Sequence, residues 1–239
     1  MSVKPMVRYR WLAGLLFGLA ALPALAGQTA TMLLYQVTEP GLEPYSSRIL
    51  VTPHYLRMDD GSAQGDYLLF NRDSRIIYSV THSDGTVLEI HPRPVTIKSP
   101  LPLHMGEAEV PDGKGAPAIG GKTPHRYRLS VNGALCYQVV AVPGLLTDAV
   151  NALRAYRAVL AGENARVLPR IPADMHDPCD LALNTFAPDW QLKFGLPIQE
   201  WDPHGKGQQL MDFNAAYPVQ PSLFVLPPKF RHYTPQETP

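Results

Sequence analysis

Tyr67-Leu68-Leu69-Phe70-Asn71-Arg72-Asp73-Ser74-Arg75-Ile76-Ile77-Tyr78-Ser79-Val80-Thr81-His82-Ser83-Asp84-Gly85-Thr86-Val87-Leu88-Glu89-Ile90 sets the architecture of this chain. Three short runs are rich in β-branched and aromatic residues: Tyr67 to Phe70, Arg75 to Thr81, and Val87 to Ile90. Asn71-Arg72-Asp73-Ser74 separates the first two, and Asp84-Gly85 closes the turn into the third. Asn, Asp and Gly tolerate the positive φ that tight turns demand, so the stretch predicts an antiparallel meander. The pairs Leu68-Leu69 and Ile76-Ile77 make these strands apolar on both faces.

The same pattern continues on either side. Upstream lie Met32 to Val37, Ser47 to Thr52 and Tyr55 to Met58, the last closed by the turn Asp59 to Ser62. Within the second of these, Ile49 and Val51 point one way and Arg48 and Leu50 the other. Downstream, His125 to Val131 and Ala134 to Val142 flank Asn132-Gly133, the strongest hairpin signal in the chain. Shorter strands are expected at 197–202 and 208–214. One helix is expected over 145–161, where Leu146, Ala149, Val150, Leu153, Tyr156 and Leu160 recur at helical spacing. Gly162 falls where a left-handed C-terminal cap belongs. Residues 98–124 are loaded with Pro and Gly and read as a long loop, either an ordered lid or a disordered insertion. The stretch 163–190 reads as irregular, and 232–239 as a flexible tail.

The first 26 residues read as an export signal. Lys4, Arg8 and Arg10 precede an apolar run from Trp11 to Ala21, Pro23 breaks it, and Ala24-Leu25-Ala26 supplies small residues before a cut ahead of Gly27. The run is shorter than the roughly 20 residues of a spanning helix, and no cysteine stands at the cut to take a lipid. The expectation is a periplasmic protein with no membrane span in its mature form. Without that leader, 18 basic residues face 21 acidic ones, which argues against nucleic acid as a partner. In an oxidising compartment Cys136 and Cys179 are expected to form a disulfide.

Motifs for catalysis or cofactors are missing from the sequence. Gly115 to Thr123 approaches a phosphate-binding loop, but Ala116 occupies the position of the first glycine and Pro124 follows where a helix should open. None of the eight histidines pair at i, i+2 or i, i+4, so no metal site is expected. There is no Gly-x-Ser-x-Gly elbow, and Asp59-Asp60 sits where a turn needs Asp. The reading is a protein that is not an enzyme and carries no cofactor. What remains is an apolar surplus. One helix cannot cover both faces of a sheet of eight or more strands, so the sheet should close on itself or curl around an apolar cavity.

Ser47-Arg48-Ile49-Leu50-Val51-Thr52-Pro53, then Tyr55-Leu56-Arg57-Met58-Asp59, then Tyr67 to Arg72 and Ile76 to Val80 follow one another after the leader. Near the C-terminus come Gly195-Leu196-Pro197-Ile198, Gln208 to Phe213, and Leu223-Phe224-Val225-Leu226-Pro227. Over most of residues 30–231 this order resembles the periplasmic outer-membrane lipoprotein carrier-like (LolA/LolB-like) superfamily. Thr52 stands where carriers place a basic residue, so no functional arginine is carried over. The resemblance implies a mainly β, α+β fold of about eleven strands in one domain over 27–231. It also implies an unclosed barrel of curled antiparallel sheet with a helix across its mouth, and a concave face that shelters acyl chains.

The expected function is therefore a soluble periplasmic binding protein for lipid or lipidated protein, with the helix as lid or plug. The expected cleft residues are Leu34, Ile49, Val51, Leu56, Met58, Leu68, Phe70, Ile77, Leu88 and Leu129. The alternative is an envelope interaction module with a filled core and no small ligand.

Overall fold

The computed structural model describes residues 28–62, 64–111 and 117–235. The leader expected over 1–26 and residues 236–239 of the expected tail lie outside that set. Six strands form the N-terminal meander: β1 (Thr29–Thr38), β2 (Tyr45–Val51), β3 (Tyr55–Asp59), β4 (Tyr67–Asn71), β5 (Ile76–Thr81) and β6 (Thr86–Ile90). Next come β7 (Met105–Val110), β8 (His125–Val131), β9 (Ala134–Val142), the helix α1 (Thr147–Val167) and the short helix α2 (Pro178–Leu181). The chain ends with β10 (Leu196–Trp201), β11 (Gly207–Pro218) and β12 (Arg231–Tyr233). All 12 strands join one curled, unclosed sheet in the order β12-β6-β5-β4-β3-β2-β1-β11-β10-β9-β8-β7. Asn132 and Gly133 both adopt positive φ, as the two-residue turn between β8 and β9 requires.

Cross-strand register assigns the faces. Val51, Leu56, Phe70, Ile77 and Ile90 are successive partners across β2 to β6, so they share one face. α1 lies on that face. Its Ala149, Val150, Leu153, Tyr156 and Val159 join the strand residues in the main core cluster, and Tyr156 meets Phe70 edge to face at 6.1 Å. The opposite face carries Met32, Leu50, Tyr67, Leu69, Val80 and Val87. The irregular segment after β11 covers it with Val219, Leu223, Phe224, Leu226 and Phe230. Tyr55 stacks on Phe224 at 5.8 Å, and Arg57 donates to the Leu223 carbonyl.

This packing corrects the inference from apolar surplus. The second apolar face is shielded by a segment whose one regular element is the single 3-10 turn Pro221–Phe224, so it need not have wrapped a cavity. Such a segment buries side chains singly and leaves no periodicity to read.

Three boundaries also move. α1 runs past Gly162 to Val167. That glycine is a packing residue, because a Cβ there would stand 2.2 Å from the Arg93 carbonyl oxygen. Part of the 98–124 stretch is strand β7, paired along its length with β8. The expected tail starts too early: His232 and Tyr233 pair in parallel with Val87 and Leu88. The Cys136–Cys179 disulfide forms, with Cα atoms 5.3 Å apart, and ties α2 to β9. Beneath it lie Leu129, Val131, Ala182 and Trp190.

Candidate functional site

The face under α1 has an inner and an outer row. The inner row, Val51, Leu56, Phe70 and Ile77, is sealed under α1 at 0–2% exposure. The outer row runs from Phe213 on β11 through Leu33, Ile49, Met58, Leu68 and Ser79 to Leu88 on β6. Leu33 and Ile49 are buried, whereas Met58, Leu68, Leu88 and Phe213 are only half-buried. α1 therefore plugs one row and leaves much of the next open.

Part of the Pro/Gly-rich stretch closes over one end of that outer row. Ile119 and Lys122 pair across Gly120 and Gly121, both at positive φ. A Cβ at Gly120 would stand 2.8 Å from Leu145 and 3.6 Å from Phe213, so the turn sits directly on them. Ile119 packs against the main core cluster. Residues 117–124 thus form a cover over that end of the row, as the lid alternative expected.

The expected cleft residues divide. Ile49, Val51, Leu56, Phe70 and Ile77 belong to the core cluster shared with α1, and Met58 and Leu68 pack against it. Leu88 shares their face through its pairing with Ser79. Leu34 does not: it lies on the opposite face and packs against the second cluster. Leu129 is fully buried under the disulfide, in a third cluster. Sequence reasoning missed Ile90, Phe213 and Ile119, which the register and the tight turn bring to the side of α1.

The N-terminus of α1 is pinned by charge. Arg72, in the β4–β5 turn, donates to both Asp148 carboxylate oxygens at 2.9 and 2.7 Å and to the Thr52 carbonyl. Asp148 lies in the first helical turn, where a carboxylate also suits the helix dipole. The hydrogen bond from Arg72 holds its carboxyl below the ordinary range.

Two buried carboxylates have opposite electrostatics. Asp59 accepts from Arg48 and Arg57 at 2.6–3.0 Å with its side chain 1% exposed. Burial opposes its ionisation, but the two guanidinium partners outweigh that and hold its pKa below the usual aspartate value. Asp59 is therefore an ion-pair residue, beyond the turn role its sequence position suggests. Glu200 on β10 is buried too. Desolvation pushes its pKa up, and Arg157 at 3.9 Å with the Gln208 amide only partly offsets this.

Three clefts open elsewhere. One of about 660 Å³ lies between residues 92–97, α1 and Phe186. A second, of about 530 Å³, lies between α1, β9 and the disulfide-held segment. The third, of about 180 Å³, lies by Pro143 and Gly195. None of the expected cleft residues lines any of these three. Among the described residues no group of three or more His, Cys, Asp or Glu could hold a metal ion, and no helix is long and apolar enough to cross a membrane.

No sequence profile of a known family matches the chain, nor does any curated protein. Among solved structures it is similar to an uncharacterised conserved protein from Thermus thermophilus. That match has 9% identity and a TM-score of 0.42, over 87% of this chain and 91% of that one. It is also similar to PNGF-II in two crystal forms, at 8% and 9% identity with TM-scores of 0.40 and 0.39. Those matches cover 88% and 87% of this chain, which spans about a third of the PNGF-II chains, 31% and 32%.

Proposed function

We propose that this is a binding protein of the periplasm that shelters an apolar chain, such as the acyl group of a lipid or lipidated protein, on the concave face of its sheet. The observation that carries the reading is a largely apolar surface broken in its outer row only by Ser79. α1 occupies its inner row, while Met58, Leu68 and Leu88 of the outer row stay half-open. An acyl chain laid along that row would gain roughly 0.8 kcal/mol for each CH₂ buried. The Ile119–Lys122 turn covers one end, and α1 acts as a plug whose displacement would lengthen the groove. The disulfide suits an oxidising compartment.

Native mass spectrometry of protein purified from cell envelopes, with an apolar fluorescent dye, tests this. Bound acyl or phospholipid mass and dye enhancement are expected. The Met58→Asp, Leu68→Asp double variant should fold and lose both signals; a folded variant that keeps them overturns the assignment. Arg72→Ala should raise dye binding by releasing the start of α1.

A second reading is an envelope interaction module with a filled core. The coverage of both faces, by α1 and by residues 219–230, favours it. Absence of bound lipid together with no dye response would select it.

A further inference from the structure

The cavity of about 530 Å³ is separate from the outer row and differs in chemistry. Its size falls in the usual range for small-ligand sites. α1 contributes Tyr156 and Arg157, β9 contributes Tyr137, and the segment tied down by the disulfide contributes Gln191. Gln191 is 6% exposed and Tyr156 9% exposed, yet both reach the cavity wall. Arg157 donates to the Gln191 carboxamide oxygen. Among the described residues, the Gln191 amide nitrogen and the hydroxyls of Tyr137 and Tyr156 have no hydrogen-bond partner. Close behind, the Glu200 Oε1 atom is buried and also unpartnered. Buried polar groups are almost always paired in folded proteins, so Glu200 Oε1 is the exception here, while the Gln191 amide and the two tyrosine hydroxyls open into the hollow and are free to bond what enters it. Here several with spare capacity gather around one hollow.

The lining also limits what fits. Asp177, Asp180 and Asp202 nearly balance Arg157 and Lys206, so no strong field of one sign selects an ion. Two of the carboxylates already serve the backbone: Asp177 accepts from the Asp180 amide, and Asp202 from the His204 and Lys206 amides. The open positions include the Gln191 amide donor, two hydroxyls that both donate and accept, and the side-chain carbonyls of Asn164 and Asn184. A ligand whose own groups donate and accept alike satisfies such a set. We propose that this cavity binds a neutral, hydroxyl-rich small molecule, a mono- or disaccharide.

The full mature chain is titrated with glucose, N-acetylglucosamine and maltose, followed by saturation-transfer and amide NMR. At least one sugar should saturate with a dissociation constant of order 1 mM or tighter and shift the Gln191 side-chain amide. The Tyr137→Phe, Tyr156→Phe variant removes only hydroxyls without protein partners, so its melting temperature should match wild type. Its sugar affinity should fall by about tenfold. The Met58→Asp, Leu68→Asp variant should bind sugar as wild type does, which separates this site from the acyl groove. The proposal is overturned if none of the three sugars saturates, if the tyrosine variant binds equally well, or if acetate or phosphate saturates the cavity in their place.

Discussion

At the residue scale, Gly162 shows packing overruling propensity. Replacing a mid-helix glycine by alanine ordinarily gains up to about 1 kcal/mol. Here the added Cβ would meet the Arg93 backbone at 2.2 Å, and backbone cannot swing aside as a side-chain tip can. Gly162→Ala should therefore destabilise by about 2 kcal/mol and lower the melting temperature by about 4–8 °C. Asp59 makes a second prediction. Asp59→Asn leaves Arg57, 7% exposed at its side chain, without a counter-charge, which should cost about 3 kcal/mol. Because the folded pKa of Asp59 is lowered, its contribution is present above the ordinary aspartate value of about 3.9 and is lost as pH falls through the folded value. Denaturant midpoints at neutral and acid pH should converge more for the variant than for wild type. Glu200 has the opposite sign. Its raised folded pKa makes stability fall as pH rises above the ordinary glutamate value of about 4.3. Glu200→Gln should remove that decline and be more stable than wild type at neutral pH, measured by the same titration.

At the element scale, the disulfide and α1 matter most. The Cys136–Cys179 bridge spans a sequence separation of 43 residues, so closing the loop is worth about 4 kcal/mol on chain-entropy grounds. The Cys136→Ser, Cys179→Ser variant should lose that amount in chemical denaturation, and wild type under reducing conditions should match it. The strand pattern of the meander was legible because turn residues and β-branched runs act locally. His125 to Val131 and Ala134 to Val142 were expected with the bounds the structure shows. β7 was not legible. Met105-Gly106-Glu107-Ala108-Glu109-Val110 has weak strand propensity, and its only described pairing is with β8, so tertiary pairing made the strand. The end of α1 was misplaced because a glycine used for close approach has the same letter as a glycine used as a cap.

At the scale of the whole molecule, the local pattern of residues by itself determined a β-rich chain of short antiparallel strands, one amphipathic helix and a cysteine pair able to bridge. These follow from φ preferences, side-chain periodicity and thiol count, which need no knowledge of distant neighbours. The tertiary structure alone decided which face each strand gave to α1. It put Leu34 with the core cluster that residues 219–230 cover and Leu68 with the cluster that α1 joins, although both were expected in one cleft. It also gathered Tyr137, Tyr156 and Gln191 around one hollow from three separate parts of the chain. The reason is geometric. A strand's two faces differ by a one-residue shift that its own composition does not resolve when both are apolar. Only the cover that folds onto each face, one long helix on one side and a segment with a single 3-10 turn on the other, settles which side is which.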